Sequence, residues 1–180
     1  LATRLLGISQ GDTVICQSFT FIGSCNPVIY EKGELIFVDS EKDTWNMCPK
    51  SLTLALEDCK KRGISPKAII VVHLYGMPAK IEEITEIAKR YKVPVIEDAA
   101  EALGSNINGK PCGSFGSLSI LSFNGNKIIT TSGGGAILSN NKEDIVEANF
   151  LSTQAKENRP FYQHKKLGYN YKLSNILSSI

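Results

Sequence analysis

The stretch AIIVVHLYGMPAKIEEITEIAKRYKVPVIED, Ala68 to Asp98, decides the fold. It opens on the nearly continuous apolar run Ala68-Ile-Ile-Val-Val and closes on a second one, Val93-Pro-Val-Ile. A strand with one wet face alternates polar and apolar residues. An unbroken run therefore predicts a strand covered on both faces, as in a parallel sheet. Between the runs, Ile81, Ile84, Ile87, Ala88 and Tyr91 share one face of a helical period, with Glu82, Glu83, Glu86, Lys89 and Arg90 largely elsewhere. Pro78 suits a first helical turn. Strand, amphipathic helix and strand in that order form the repeating unit of an α/β domain.

Working outward, the strands are expected at Thr13–Cys16, Leu35–Val38, Ala68–Leu74, Val93–Glu97, Leu118–Phe123 and Gly135–Ser139. Further helices are expected from about Lys50 to Lys61, closing at Gly63, and from about Lys142 to Thr153. The whole predicts a three-layer αβα domain around a mainly parallel sheet. The polar, irregular stretch from Lys156 to Gly168 reads as a surface excursion. Leu1 to Gly7 reads as the last turns of a helix closed by glycine. Leu173 to Ile180 has apolar residues at helical spacing. Both ends thus fall inside expected helices, and the chain is expected to be a fragment of a longer protein.

Composition narrows the function classes. The 180 residues carry a formal net charge of +2, with 42% apolar and 21% charged residues. That is the balance of an ordinary globular protein, with no electrostatic case for nucleic acid or an anionic membrane. No apolar run approaches the roughly 20 residues that span a bilayer, and no signal-peptide pattern is present. Five cysteines, an odd count without a C-x-x-C pair, argue against a disulfide framework and a zinc site. The expectation is reduced thiols, a cytoplasmic protein and no metal.

Ligands of open α/β sheets bind beyond the carboxyl ends of the strands. Three strand ends carry unusual residues: Val95-Ile96-Glu97-Asp98, Leu121-Ser122-Phe123-Asn124 ahead of Lys127, and Cys16-Gln17-Ser18-Phe19-Thr20-Phe21. Each has a structural reading. Asp98 suits a helix cap, Ser122 a turn, Phe21 the core, Gly133-Gly134-Gly135 a tight connection, and Lys127 a solvated loop. Together they suggest pyridoxal phosphate chemistry. A desolvated lysine is a nucleophilic amine for an aldehyde. An acid opposite the ring nitrogen makes the ring an electron sink. Hydroxyl donors suit a phosphate, and an aromatic suits the ring face. Lys127, Asp98, Ser122 and Phe21 supply these parts.

The runs Glu97-Asp98-Ala99-Ala100-Glu101-Ala102-Leu103-Gly104, Gly113-Ser114-Phe115-Gly116 and Ser122 to Gly135 resemble the DegT/DnrJ/EryC1/StrS aminotransferases. Thr20-Phe21 and Gly168 to Asn175 match as well. The resemblance covers essentially the whole chain. It implies the large cofactor-binding domain of a fold-type-I pyridoxal phosphate enzyme, residues 1–180. The upstream phosphate-binding segment and the C-terminal small domain would lie outside it.

The resemblance implies the following roles. Lys127 forms the Schiff base with the cofactor and shuttles the proton. Asp98 partners the ring nitrogen, Phe21 stacks on the ring, and Ser122 binds the phosphate. Asn170 reaches the phosphate of a neighbouring subunit in a homodimer with shared active sites. Glu101 stands where the family often has Gln or His near the phenolic oxygen, and Lys172 replaces a commoner Arg. Asn124 and His164 face the substrate.

The Asn-Gly-Asn-Lys form and Gln154 to His164 point to the subgroup that aminates C4 of a UDP-linked 4-keto-6-deoxy-N-acetylhexosamine for surface glycans, with glutamate as donor. Other readings are a 3-aminotransferase, a deoxysugar dehydratase, or a non-catalytic regulatory protein on the same fold. Lys127 weakens the dehydratase reading, because such enzymes typically replace this lysine by His. His73 and His164 also have structural or solvated readings.

Overall fold

The computed structural model describes residues 1–179. Its main sheet has six strands: β1 (Thr13–Gln17), β2 (Glu34–Val38), β3 (Ala68–Val72), β4 (Val95–Asp98), β7 (Leu118–Ser122) and β8 (Gly135–Leu138). The order is β2-β1-β3-β4-β7-β8. Every neighbouring pair is parallel except β7 and β8, which run antiparallel from Ser119 opposite Leu138 to Ser122 opposite Gly135. The expected α/β class and mainly parallel sheet are what the chain adopts.

The period of two along β3 explains its unbroken apolar run. Ile69 and Val71 face one layer, where they meet α3 (Pro49–Lys61) and α4 (Ile81–Tyr91) through Leu52, Leu56, Ile81, Ile84 and Ile87. Ala68, Ile70 and Val72 face the other, against Ala2 of α1 (Ala2–Leu5) and Val28 of α2 (Asn26–Tyr30). Each fully buried Ile or Leu contributes about 1.5–3 kcal/mol by leaving water. On this second face α5 (Lys142–Ser152) approaches α1.

Several boundaries differ from the sequence reading. Pro78 lies before α4 rather than in its first turn, because the Ala79 N–H is drawn to His73 Nδ1 at 2.9 Å and the helix starts only at Ile81. The expected helix over Leu173–Ile180 is a single 3₁₀ turn, Leu177–Ser179, in the described part, and Ile180 lies outside the described residues. There the Ser178 hydroxyl bonds the Ser174 carbonyl at 2.8 Å, and Ile176 is exposed. Serine hydroxyls here compete for the backbone carbonyls, and the exposed Ile176 adds no packing that would favour a longer helix.

A small hairpin, β5 (Asn106–Ile107) with β6 (Lys110–Pro111), stands apart from the main sheet. Its turn residues Asn108 and Gly109 have φ of 52° and 82°, the geometry that Asn-Gly turns favour. The Lys156–Gly168 stretch is a surface excursion, as expected, with one bridge between Lys156 and His164.

Candidate active site

The carboxyl end of β4 presents two adjacent carboxylates to opposite faces of the sheet. Both residues are buried, Glu97 completely and Asp98 at 6% exposure. Their surroundings differ.

Glu97 is the hub of a closed network. Ala79 N–H donates to His73 Nδ1, so the His73 proton sits on Nε2 and donates to Glu97 Oε1 at 2.8 Å. Gly113 N–H donates to the same oxygen at 2.5 Å. Phe115 N–H, Gly116 N–H and the Ser119 hydroxyl donate to Oε2 at 2.8, 2.9 and 3.2 Å. Burial pushes the Glu97 carboxyl up. The bonds from His73 and the amides of Gly113, Gly116 and Phe115 outweigh it and hold the group down at about 2. His73, Glu97 and Cys112 bring possible metal-ligand atoms within 4.8 Å of one another. The two ring nitrogens and both carboxylate oxygens are already committed to protein partners, so the cluster ties β3, β4 and the 113–119 segment together.

Asp98 faces the other way, into a cavity of about 710 Å³ walled by Gly23, Ser24, Ile96, Leu121, Gly134 and Leu173, among others. It receives two hydrogen bonds, from the Ser24 hydroxyl at 2.7 Å and from Ala100 N–H at 3.1 Å. The second is the bond expected of a local cap, but the following residues form turns rather than a helix. Burial raises the Asp98 carboxyl. The Ser24 and Ala100 bonds and the charge of Lys127 oppose this, and Glu101 adds to it. A buried carboxylate can accept about four hydrogen bonds. Asp98 therefore keeps capacity for a cationic N–H arriving from the cavity.

Lys127 follows β7, the strand beside β4. Its ammonium lies 3.5 Å from Glu101 Oε1, with the side chain 15% exposed. Lys127 is therefore partly buried rather than a freely solvated loop lysine, and it has an anionic neighbour in Glu101. Glu101 Oε2 in turn accepts from Tyr75 N–H at 2.8 Å. Tyr75 and Gly76 both have positive φ, 54° and 82°. At Gly76 a Cβ would lie 2.8 Å from the Glu101 carbonyl oxygen, so only glycine permits this approach. The turn after β3 thus fixes Glu101, and Glu101 fixes Lys127. Sequence reasoning missed Tyr75 and the role of this turn.

The remaining candidates spread around this centre. Phe21 is 77% exposed, and its ring lies over Gly23, where an added Cβ would meet the ring at 3.0 Å. It is therefore not a core residue. Ser122 ends β7, half-buried, with its hydroxyl accepting weakly from Asn124 N–H at 3.4 Å. Asn124 is exposed and donates to Asn126 Oδ1 at 3.1 Å. Gly134 has a φ of 100°, a conformation that residues with a side chain rarely adopt, and a Cβ there would also displace the Leu173 side chain.

Asn170 is exposed and bridges to Thr153, immediately before Tyr171, Lys172 and Leu173 in the cavity wall. His164 is exposed, donates from Nδ1 to the Gln154 carbonyl at 2.9 Å and stacks on Tyr162. The fold therefore brings together Lys127, Glu101 and Asp98, with Ser122 on the adjoining strand. In this chain His164 bonds Gln154, just ahead of the surface excursion, and stacks within it.

This arrangement fits pyridoxal phosphate. Lys127 offers an amine, and Asp98 offers an acid with unfilled acceptor capacity beside a cavity. The family model described as "DegT/DnrJ/EryC1/StrS aminotransferase family" matches residues 1–180. EpsN of Bacillus subtilis (strain 168), named as a pyridoxal phosphate-dependent aminotransferase, is 55% identical over 180 residues, which is all of this chain and 46% of that protein. The GDP-perosamine synthase of Escherichia coli O157:H7 is 41% identical over all of this chain and 48% of its own length. A crystal structure of a DegT DnrJ EryC1 StrS aminotransferase from Brucella abortus superposes with a TM-score of 0.92 at 33% identity, over 98% of this chain and 48% of that one. The chain spans about half the length of the relatives it matches.

Proposed function

Because the chain belongs to the DegT/DnrJ/EryC1/StrS aminotransferase family, we propose that the protein containing it moves an amino group, from glutamate, to the keto carbon of a nucleotide-linked sugar. Pyridoxal phosphate is the cofactor of this reading. The observation that carries it is one buried, partly satisfied acid at the end of β4, facing a cavity, with one lysine in the segment after the neighbouring strand β7, near enough for its charge to act on that acid.

Bound there, the cofactor supplies a carbonyl carbon for amines and a ring that takes up the electron pair left at a neighbouring carbon. Lys127 Nζ is the amine held ready for that carbon, and the group that holds the proton exchanged between substrate and cofactor carbons. Glu101 keeps Nζ oriented through the 3.5 Å ion pair. Asp98, as a carboxylate, would accept the ring nitrogen's N–H and keep that nitrogen protonated. Its field acts at short range in a site of low dielectric, where it is strongest.

Ser122 holds the phosphate, and Phe21 covers the ring face from over Gly23. Asn124 and His164 are the substrate contacts. Asn170 is exposed next to the cavity wall, and in this reading a second copy of the chain receives it in a homodimer with shared sites. In the whole protein this chain forms most of the cofactor-binding domain.

The finer reading is amination at C4 of a UDP-linked 4-keto-6-deoxy-N-acetylhexosamine, supported by the Asn124 to Lys127 and Gln154 to His164 sequences. The identity to a GDP-perosamine synthase makes a GDP-linked sugar its competitor. The test is an amination screen of the full-length protein with pyridoxal phosphate and glutamate. It compares UDP-, GDP- and dTDP-linked sugars with keto groups at C4 or C3, followed by mass spectrometry. Amination of the UDP-linked 4-keto sugar supports the finer reading. Preference for GDP or for C3 corrects it. No amination of any sugar by cofactor-loaded protein contradicts the aminotransferase reading.

A further inference from the structure

Asp98 is held by a hydroxyl far away in sequence, that of Ser24. Ser24 is 74 residues away in sequence, 5% exposed, and sits at the end of the 3₁₀ turn Ile22–Ser24. Its hydroxyl lies 2.7 Å from Asp98 Oδ2 and 3.0 Å from the Thr20 hydroxyl. The Thr20 hydroxyl is also 3.3 Å from the Phe21 carbonyl.

Two hydroxyls between two acceptors can be ordered in only two ways, because each has one proton to give. With Asp98 ionised, the carboxylate can only accept, so Ser24 donates to it and Thr20 donates to Ser24. With Asp98 protonated, the order can reverse: Asp98 donates to Ser24, Ser24 to Thr20, and Thr20 to the Phe21 carbonyl.

The distances favour the first order. The 2.7 Å contact suits either order, but the Thr20 to Phe21 contact, which only the second order requires, is the longest of the three at 3.3 Å. The other charged or titratable groups that face Asp98 are Lys127, Glu101 and the Cys16 thiol. Of these only Lys127 favours the ionised form, so most of the local counterweight to burial comes from hydrogen bonds.

We propose that Ser24, oriented by Thr20, is the positioning residue that keeps Asp98 ionised and aimed at its ligand. The inference rests on the reading of Asp98 as the partner of the cofactor's ring nitrogen. Its first measurement needs no cofactor.

In full-length apoprotein, the Asp98 carboxyl is titrated by carbon-13 NMR in wild type, Ser24→Ala, Ser24→Thr and Thr20→Val. A hydrogen bond to a charged group corresponds to about one pKa unit or more. Ser24→Ala is therefore expected to raise the Asp98 midpoint by about one unit. Ser24→Thr should restore it, and Thr20→Val should raise it by less. Pyridoxal phosphate titrated into the same proteins should bind Ser24→Ala more weakly, roughly tenfold, and Ser24→Thr normally.

An unchanged midpoint in folded Ser24→Ala overturns the proposal, even if the cofactor binds more weakly. If that variant does not fold, an unchanged midpoint in Thr20→Val, where the substituted residue is half-exposed, does the same. A shifted midpoint in a protein whose wild type does not bind pyridoxal phosphate leaves Ser24's action on Asp98 standing and removes the cofactor reading instead.

Discussion

Glu97 and Asp98 are neighbours in sequence and opposites in situation. Both are carboxylates, both are buried, and both end the same central strand. Glu97 looks toward the α3 and α4 layer and receives five hydrogen bonds. Asp98 looks toward the α1 and α5 side and receives two, with a cavity before it. The difference separates an acid that stabilises the fold from one whose burial opposes folding and which retains unused acceptor capacity. Buried acids of the second kind are where ligands and chemistry are found.

The two groups also act with opposite sign on stability. Glu97 has a lowered pKa, so the folded form binds fewer protons than the unfolded form between about 4.5 and 2. Its contribution is present above the ordinary carboxylate value and is lost as pH falls through about 2. Asp98 is raised, so the folded form binds more protons in its window, and its contribution falls as pH rises through it.

The largest effect separating the two faces is predicted for Lys127→Ala. Removing the amine should abolish transamination by the full-length protein, while the thermal midpoint changes little. Only a partly exposed ion pair is lost, typically worth about 0–1 kcal/mol. Asp98→Asn comes next. It keeps shape and should retain most cofactor binding, yet lose turnover at least about a hundredfold. Stability should stay equal or rise, since a carboxylate disfavoured by burial has been removed. Near-normal turnover in that variant would return Asp98 to the role of a local cap.

Glu97→Gln should show the converse pattern. Placing an amide NH2 among donors that all face the carboxylate leaves at least one buried donor without an acceptor, at a cost of about 1–3 kcal/mol, read by urea unfolding, and any loss of turnover should follow the loss of folded protein. Its stability should also change less than that of wild type as pH falls from about 4.5 to 2. Glu41 is likewise held at about 2 and titrates in the same window. The comparison is therefore the difference between the two proteins rather than the wild-type curve alone.

The smallest effect is expected for Glu101→Gln. The amide oxygen can still accept from Tyr75 N–H, so stability should stay within about 1 kcal/mol. Turnover should fall by less than in Asp98→Asn, because Lys127 remains but loses its anionic neighbour. A loss equal to that of Lys127→Ala would show that Glu101 itself takes part in proton transfer.

The sheet was legible in the sequence because its signal is local. The runs of β3 and β4 and the face of α4 each carry their own periodicity. Asn108-Gly109 was equally local and marked a hairpin that the reading passed over. The apolar spacing of Leu173 to Ile180 misled, because spacing alone does not supply a surface to pack on. At the site, residue types and their order pointed to Lys127, Asp98 and Ser122.

The difference between Glu97 and Asp98 was not legible. Glu97's donors come from His73 and from residues 16 to 22 positions away. Ser24 meets Asp98 across 74 residues. Such contacts exist only once β1, β3, β4 and β7 are side by side. For the same reason, the Glu101 to Lys127 ion pair was not legible.

The account turns on Lys127 and Asp98 acting on one bound cofactor. The most direct measurement is borohydride reduction of full-length protein loaded with pyridoxal phosphate, followed by peptide mapping of the fixed label. The account predicts one label per chain, on Lys127, in wild type, Asp98→Asn and folded Glu97→Gln alike, and none there in Lys127→Ala. A label on Lys80 or Lys110 in wild type, or no label on protein shown to hold the cofactor, would contradict it.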